Sequence, residues 1–246
     1  MDDSAQVTVA TADGPMPAYR WLPPSGQGPG VVVVQEIFGV SKYIRQRAAD
    51  LAEAGFVVLA PDLYWRLPDE DLDESDPNVL QQAMGMAGRL EWPVTAADVE
   101  AALVALRADE HVRGDTGLLG FCFGGGVAFQ VAADADPDAL VSYYGSALPG
   151  LLEHAGAVDC PSLHHFGTAD TYIPMDQVEK IRQAVTATRT PAEFYLYEGA
   201  GHAFDNPAPV FHHQEAAAEA WPRTVAFLTE HLRADRPEHL QAGRTR

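Results

Sequence analysis

Residues 117–126 decide the fold, and they run Gly117-Leu118-Leu119-Gly120-Phe121-Cys122-Phe123-Gly124-Gly125-Gly126. A short apolar run ends at Gly120, a cysteine stands between two phenylalanines, and three glycines precede another apolar stretch. This order predicts a strand, a very tight turn and a helix, with Cys122 at the apex of the turn. The spacing is G-x-C-x-G, the cysteine form of the G-x-S-x-G nucleophile elbow.

Two interpretations of Cys122 are open from this stretch alone. Gly120 and Gly124 allow close packing at the turn and a strained backbone at its apex. A cysteine that begins a helix lies near unpaired N–H groups and the positive end of the helix dipole, which favour its thiolate. The alternative is a buried structural cysteine ahead of a glycine-rich helix start, because free cysteines are often core residues.

Strands and helices alternate on both sides of this stretch. The predicted strands are residues 6–10, 16–21, 31–35, 56–60, 139–144, 162–166 and 192–197, with a loop at 23–30 and an acidic loop at 69–76. One helix follows Ser41, one begins at Thr95 with Asp98 as its capping-box partner, one spans 175–188, and the last carries Trp221, Val225, Leu228 and Leu232.

This alternation predicts the α/β class, with a mostly parallel central sheet covered by helices on both faces. The apolar run Val31 to Val34 is typical of a parallel strand that is buried on both sides. No linker or repeat divides the chain, so we expect one domain over residues 1–246, in which 235–246 form a loosely held tail.

The composition restricts the partners. Thirty-five acidic side chains against sixteen Lys and Arg give a net charge of −19, which disfavours nucleic acid and anionic membrane surfaces; a high-salt habitat would leave the same signature. Two cysteines predict no disulfide framework, and the adjacent pairs His164-His165 and His212-His213 chelate poorly, so we expect no metal and no cofactor. The acidic start lacks an apolar run, which favours a cytoplasmic protein; a monomer and a small homo-oligomer stay open.

Three residues that could perform chemistry follow predicted strands. Cys122 follows the strand that ends at Gly120, Asp170 follows residues 162–166, and His202 lies in a glycine-rich loop after residues 192–197. Sites in such sheets form at the carboxyl ends of strands, and the order nucleophile, acid, base is that of α/β-hydrolase triads. Taken singly, Asp170 could be a turn former and His202 an ordinary loop histidine. Together they predict a Cys-His-Asp triad.

Six segments carry a family resemblance. They are Val34-Gln35-Glu36-Ile37-Phe38-Gly39, Ala60-Pro61-Asp62-Leu63-Tyr64, Gly120-Phe121-Cys122-Phe123-Gly124-Gly125, Tyr143-Tyr144-Gly145, Gly167-Thr168-Ala169-Asp170 and Gly201-His202-Ala203-Phe204. With them, the chain resembles the dienelactone hydrolase (carboxymethylenebutenolidase) family of the α/β-hydrolase superfamily. The likeness covers residues 7–232, and the cysteine elbow together with Gln-Glu-Ile-Phe-Gly is specific to this family.

The resemblance implies roles for the matching residues. Cys122 attacks a lactone or ester carbonyl, and His202, oriented by Asp170, moves the proton. The backbone N–H groups of Ile37 and Phe123 form the oxyanion hole. The glutamate that matches Glu36 contacts the resting thiol and takes part in forming the thiolate. A carboxylate after four valines is poorly solvated, so a raised pKa fits that role; the alternative is an ion pair between Glu36 and an arginine such as Arg45.

The chain also departs from the family. Two arginines bind the substrate carboxylate in characterised dienelactone enzymes, whereas here the matching positions fall in Asp205-Asn206 and near Gln81. We expect Asp205, close to His202 in sequence, to repel an anionic substrate. Phe38, Tyr144 and Tyr172 match aromatic residues of the family's pocket and would line the acyl site; each could equally be a core residue.

These observations predict a cysteine-dependent hydrolase whose partner is a small lactone or activated ester. Thiolates leave easily, so an acyl-enzyme formed from an unactivated substrate reverts before water attacks it, which favours activated lactones over amides. Two alternatives stay open. One is a thioesterase- or dehalogenase-type hydrolase, and the other is a non-catalytic protein that binds a small ligand on the same fold.

Overall fold

The computed structural model describes residues 4–67 and 72–234. Its strands are β1 (Ala5–Thr11), β2 (Gly14–Trp21), β3 (Gly28–Val34), β4 (Val57–Pro61), β5 (Val112–Phe121), β6 (Ala139–Tyr143), β7 (Ser162–Gly167) and β8 (Ala192–Tyr197). Its α-helices are α1 (Lys42–Glu53), α2 (Val79–Ala87), α3 (Trp92–Arg107), α4 (Phe123–Ala135), α5 (Met175–Thr186) and α6 (Gln214–His231). The predicted tail, 235–246, and positions 69–71 of the predicted acidic loop lie outside the described residues.

The strands form one eight-stranded sheet in the order β1-β2-β4-β3-β5-β6-β7-β8. The pairs β1–β2 and β2–β4 are antiparallel, and the five remaining pairs are parallel. The predicted mostly parallel sheet is therefore confirmed. No helix within residues 4–67 and 72–234 is long and apolar enough to cross a membrane.

The four valines of β3 show how the sheet joins two layers of helices. Val32 and Val34 belong to the core cluster that contains the buried faces of α3, α4 and α5. Val31 and Val33 belong to the opposite cluster, with α1 and α6. Successive side chains of a strand point to opposite faces, so an uninterrupted apolar run is needed where both faces are covered.

The structure differs from the sequence-based expectation at three elements. Strand β3 begins at Gly28 instead of residue 31, because the Gly28 N–H is bonded to the His111 carbonyl at 3.1 Å and the strand pairs with β5 from there. Helix α2 was not predicted. The proposed capping box is wrong, since α3 begins at Trp92 and the Thr95 hydroxyl donates to the Glu91 carbonyl at 3.1 Å, one turn inside the helix.

The parallel strands bring four loops to one edge of the sheet. Strands β3, β5, β7 and β8 run in the same direction, and the residues that follow their carboxyl ends include Glu36, Cys122, Asp170 and His202. Four residues that are far apart in sequence therefore meet at the edge where ligands bind in such sheets.

Candidate active site

Cys122 lies at the apex of a very tight turn between β5 and α4. Its φ of 52° and ψ of −114° lie outside the regions that non-glycine residues usually adopt. The flanking glycines are required by close packing: a Cβ on Gly120 would lie 2.1 Å from the Gly124 carbonyl oxygen, and a Cβ on Gly124 would lie 2.3 Å from the Val34 oxygen. The predicted strand, turn and helix are present, and the turn holds Cys122 in one orientation.

His202 lies between Cys122 and Asp170. Its Nε2 is 3.0 Å from the Cys122 Sγ, and its Nδ1 is 2.7 Å from the Asp170 Oδ2. The other oxygen of Asp170 accepts hydrogen bonds from the backbone N–H groups of Tyr172 at 2.8 Å and Ile173 at 3.0 Å, which fix the carboxylate. The three residues predicted from strand-end positions are thus brought into one hydrogen-bonded row.

The neighbours of His202 favour its protonated form. Burial alone would lower the pKa of the imidazole, but the hydrogen bonds and negative charges of Asp170 and Cys122 outweigh it and raise the pKa to about 10. The Asp170 side chain is fully buried, and the His202 side chain is 11% exposed, so water weakens these interactions little. The row can therefore hold a proton on His202 beside the sulfur.

Glu36 follows β3 and is 1% exposed. Burial raises its pKa to about 8, although the hydrogen bond that Asn206 Nδ2 donates to its Oε1 at 2.9 Å opposes the rise. The alternative ion pair with Arg45 is wrong, because the Arg45 guanidinium lies 3.8 Å from the centroid of the Tyr19 ring and its Nε donates to the Val40 carbonyl. Glu36 is therefore largely uncharged at neutral pH.

The two backbone N–H groups expected to form the oxyanion hole belong to Phe123 and Ile37. Phe123 is the first residue of α4, so its N–H has no acceptor within the helix. Ile37 lies in a turn in which the Gly39 N–H donates to the Glu36 carbonyl at 3.2 Å and the Tyr64 hydroxyl donates to the Ile37 carbonyl at 2.7 Å. These bonds hold the Ile37 peptide at the wall of a cavity that Cys122 also lines.

A cavity of about 150 Å³ opens beside the row. Its lining residues are Glu36, Ile37, Phe38, Leu80, Met84, Cys122, Ser146, Tyr172, His202, Ala203 and Phe211. Apart from Glu36, Cys122 and His202, the side chains of this wall are mostly apolar. A neighbouring cavity of about 650 Å³ shares Glu36, Phe38, Leu80 and Phe211 with it.

The aromatic residues expected in the pocket divide into two groups. Phe38 and Tyr172 line the cavity beside Cys122. Tyr144 does not: it is fully buried, its ring centroid is 5.2 Å from that of His202, and its hydroxyl is 3.3 Å from the Tyr43 hydroxyl. Tyr144 therefore packs against His202 from the protein interior instead of facing the cavity. Its backbone φ is 36°.

Asp205, which was expected to repel an anionic substrate, does not face the cavity. Its side chain is fully buried and accepts two hydrogen bonds of 2.7 Å from Arg47 and one of 2.6 Å from the Tyr43 hydroxyl. Its charge is therefore paired inside the protein, and Asp205 lies outside the cavity lining. The sequence could not reveal this pairing, because Arg47 is 158 positions away along the chain.

Sequence reasoning missed the side chains that come from α2 and from the segment after His202. Leu80 and Met84, one turn apart on α2, and Phe211 complete the cavity wall. The spacing of Leu80, Ala83, Met84 and Ala87 was a helical signal. His164 and His165 lie outside this cavity lining: burial lowers the pKa of His164 to about 4, and His165 bonds Tyr197 and Thr224. Among the described residues, no group of three or more His, Cys, Asp or Glu side chains could hold a metal ion.

Comparisons with known proteins place this chain in a family. The sequence model of the dienelactone hydrolase family matches residues 16–232. Carboxymethylenebutenolidase of Pseudomonas sp. strain P51 is 34% identical over 89% of this chain and 92% of its own, and that of Pseudomonas putida is 33% identical over 84% and 87%. A suggested dienelactone hydrolase from Klebsiella pneumoniae superposes with a TM-score of 0.78 at 28% identity, covering 92% of this chain and 98% of its own.

Proposed function

Because the chain belongs to the dienelactone hydrolase family of ester and lactone hydrolases, we propose that it cleaves lactones or small activated esters through an acyl-enzyme on Cys122. The observation that carries this proposal is the row formed by Cys122, His202 and Asp170, with contacts of 3.0 and 2.7 Å at the edge of an apolar cavity. Nucleophile, base and orienting acid are each within hydrogen-bonding reach of the next.

In the first half of the reaction, the Cys122 sulfur attacks the carbonyl carbon while its proton resides on His202. The carbonyl oxygen becomes an oxyanion that accepts hydrogen bonds from the N–H groups of Ile37 and Phe123. The C–O bond to the leaving oxygen then breaks, and that oxygen takes the proton from His202 Nε2. In a lactone the leaving oxygen stays attached to the acyl chain, so the ring opens without releasing a fragment.

In the second half, His202 removes a proton from water, which attacks the thioester carbon. The C–S bond breaks, the carboxylic acid leaves, and the proton returns to the sulfur–imidazole pair. Asp170 supports both halves, because its carboxylate stabilises the imidazolium through the 2.7 Å contact with Nδ1. The pKa of about 10 for His202 supports the same role.

Glu36 has a second proton role in this proposal. It lines the cavity that contains Cys122, and its pKa of about 8 lies close to physiological pH. A carboxyl group exchanges protons most effectively when its pKa is near the working pH. The ionised fraction of Glu36 can therefore take the Cys122 thiol proton when substrate enters, and this proton then passes to His202, where the first half of the reaction needs it. The Asn206 amide orients one oxygen of the carboxyl group and leaves the other available.

Hydrolysis of p-nitrophenyl acetate tests the proposal. Cys122→Ala should lose at least about 1,000-fold in kcat/KM, because the nucleophile is removed while the fold is kept. Cys160→Ala is the matched control, since Cys160 is the other buried cysteine and lies outside the cavity lining. Equal rates for wild type and Cys122→Ala would sink the proposal.

Alkylation by iodoacetamide at neutral pH separates an enzyme from a protein that only binds a ligand. The wild type should be labelled at Cys122 and lose activity at the same rate. His202→Ala should be labelled much more slowly, because the imidazolium that stabilises the thiolate is gone. An inert Cys122 in the wild type would favour the ligand-binding alternative.

A further inference from the structure

The cavity beside Cys122 has no basic side chain of the kind that would bind a substrate carboxylate, although this chain is related to carboxymethylenebutenolidases. None of its eleven lining residues, all within the described part of the chain, is lysine or arginine. The lining groups that can carry charge are Glu36, Cys122 and His202. The rest of the wall is dominated by Ile37, Phe38, Leu80, Met84 and Phe211.

The three ionisable groups leave no free positive charge for a ligand. His202 is the one cation among them, and it already contacts Asp170 at 2.7 Å and the Cys122 sulfur at 3.0 Å. Glu36 is neutral when protonated and negative when ionised, so neither form attracts an anion. Its partner Asn206 donates from an uncharged amide.

Arg47 and Arg66, which both lie outside the cavity lining, are held by other groups. Arg47 is bound by two hydrogen bonds to the buried Asp205 and lies over the Trp221 ring at 4.3 Å. Arg66 is paired with Asp98 and Asp13, away from the cavity. Lys42 lines the neighbouring cavity together with Glu74, so that cavity carries both signs of charge.

We infer that the substrate is uncharged and apolar along the acyl chain that enters this cavity, and that Leu80 and Met84 of α2 set this preference. This inference rests on the proposed function. A carboxylate placed against these side chains would lose water without gaining a cation, which costs several-fold to several-hundred-fold in binding and rate. A methyl or methylene group at the same place would gain apolar contact instead.

Three p-nitrophenyl esters with six-carbon acyl chains test the inference. They are p-nitrophenyl hexanoate, the mono-p-nitrophenyl ester of adipic acid, and the methyl ester of that adipate. The adipate ends in a carboxylate where hexanoate ends in a methyl group, and its methyl ester restores neutrality at similar size. The wild type should have a kcat/KM at least about 100-fold lower for the adipate than for hexanoate. The methyl adipate should fall within about tenfold of hexanoate.

A positive charge introduced on α2 provides a second, gain-of-function test of the inference. Met84 is 52% exposed and reaches the cavity wall, so Met84→Arg can place a guanidinium there without burying it. This variant should reduce the preference for hexanoate over adipate by at least about tenfold. Met84→Gln, which is polar but uncharged, should leave the preference close to that of the wild type.

Gln82→Arg is the matched control for net charge. Gln82 lies on the same helix but points away from the cavity, where its amide donates to Asp76 at 3.0 Å. Gln82→Arg adds the same charge to α2, and its preference for hexanoate over adipate should stay as in the wild type. A similar gain with Gln82→Arg would show a general field effect and overturn the assignment to Met84.

The outcomes separate the inference from the function beneath it. Hydrolysis that does not depend on Cys122 for any ester would overturn the proposed function and this inference with it. Cys122-dependent hydrolysis at equal efficiency for hexanoate and adipate would overturn the inference alone. Rejection of both adipate and its methyl ester would also overturn it, because size and not charge would then decide.

Discussion

The environment of each ionisable side chain decides what it can do in this site. Cys122, His202 and Asp170 form one row, and Glu36 stands apart from it, uncharged and bonded to Asn206. The burial that raises the pKa of Glu36 to about 8 would be destabilising for a permanent charge. The raised pKa of Glu36 should therefore affect the free energy of unfolding as well as catalysis.

Glu36→Gln should become more stable relative to wild type as the pH rises. The unfolded chain releases this proton near the ordinary pKa of 4.5, whereas the folded protein keeps it until about pH 8. Between these values the folded state holds one more proton. Wild type therefore loses about 1.4 kcal/mol of unfolding free energy per pH unit from this group, and glutamine loses none.

Denaturant unfolding of both proteins at pH 5, 6.5, 8 and 9 measures this difference. It should grow from pH 5 to 8 and then level off, because above pH 8 both states of the wild type are ionised at Glu36. The titration of His202 contributes to both proteins and largely cancels. A difference that stays constant across the range would mean that Glu36 titrates normally.

The residues of the row could be predicted because each follows a strand, whereas their hydrogen-bonding neighbours could not. Predicting the positions of Cys122, Asp170 and His202 requires only the strand boundaries and the direction of the strands in the sheet. The bond from Asn206 to Glu36 and the pairing of Asp205 with Arg47 join residues 170 and 158 positions apart. No local pattern encodes such contacts, so the sequence did not reveal that the charge of Asp205 is paired inside the protein.

At the scale of elements, the turn between β5 and α4 depends on close backbone contact. Gly124→Ala should lower the unfolding free energy by at least about 3 kcal/mol, because its Cβ would lie 2.3 Å from the Val34 carbonyl and 2.4 Å from the Gln35 carbonyl. The obstructing atoms are backbone, so they cannot rotate away. Urea unfolding measures the change.

Gly156→Ala is the control for this substitution. A Cβ at Gly156 has no neighbour within 4 Å, so the variant should stay within about 1 kcal/mol of wild type. If Gly124→Ala were as stable as Gly156→Ala, the tight packing of the turn against β3 would be contradicted.

Helix α1 is tied to the segment after β8 by Arg47 and Asp205. Arg47→Met should lower the unfolding free energy by about 3–5 kcal/mol, since it leaves the fully buried Asp205 carboxylate without its cation. It should also lower kcat, because Asp205 lies three residues after His202 in the same segment. Thermal unfolding and ester hydrolysis measure the two effects.

Removing the second charge should restore part of the loss. In the double variant Arg47→Met with Asp205→Asn, no buried charge is left unpaired, so stability should recover by about 1 kcal/mol or more relative to Arg47→Met. A double variant that is less stable than either single one would contradict the view that the unpaired charge is the cause.

Element boundaries were predicted where sequence periodicity was strong. Helix α1 begins after Ser41, whose hydroxyl accepts a hydrogen bond from the Ile44 N–H, as its capping residue type indicates. Helix α2 was missed because it spans only nine residues, includes Gly85 and has few buried positions. It nevertheless supplies two side chains to the cavity, so the missed element bears directly on specificity.

At the scale of the whole molecule, we propose that the chain unfolds as one cooperative unit. Both core clusters share the strands of a single sheet, with alternate residues of β3 in each. Tryptophan fluorescence and far-ultraviolet circular dichroism should therefore give coincident denaturation curves. Two separated transitions would contradict a single domain.

The class of the fold followed from the alternation of strands and helices, but the arrangement of the sheet did not. The order β1-β2-β4-β3 and the antiparallel pairing of β2 with β4 depend on contacts between segments about 40 residues apart. Periodicity reports which face of a strand is buried and does not report its neighbour. The edge that carries the site could still be predicted, because it depends only on strand direction.

The most direct test of the central claim is to trap the acyl-enzyme. Wild type mixed with p-nitrophenyl acetate and quenched in acid within the first turnovers should show one added acetyl group by intact mass, and peptide mapping should locate it on Cys122. The label should be absent from Cys122→Ala and retained in Cys160→Ala. Hydrolysis with no acyl group on Cys122, or an acyl group on another residue of the wild type, would contradict the account.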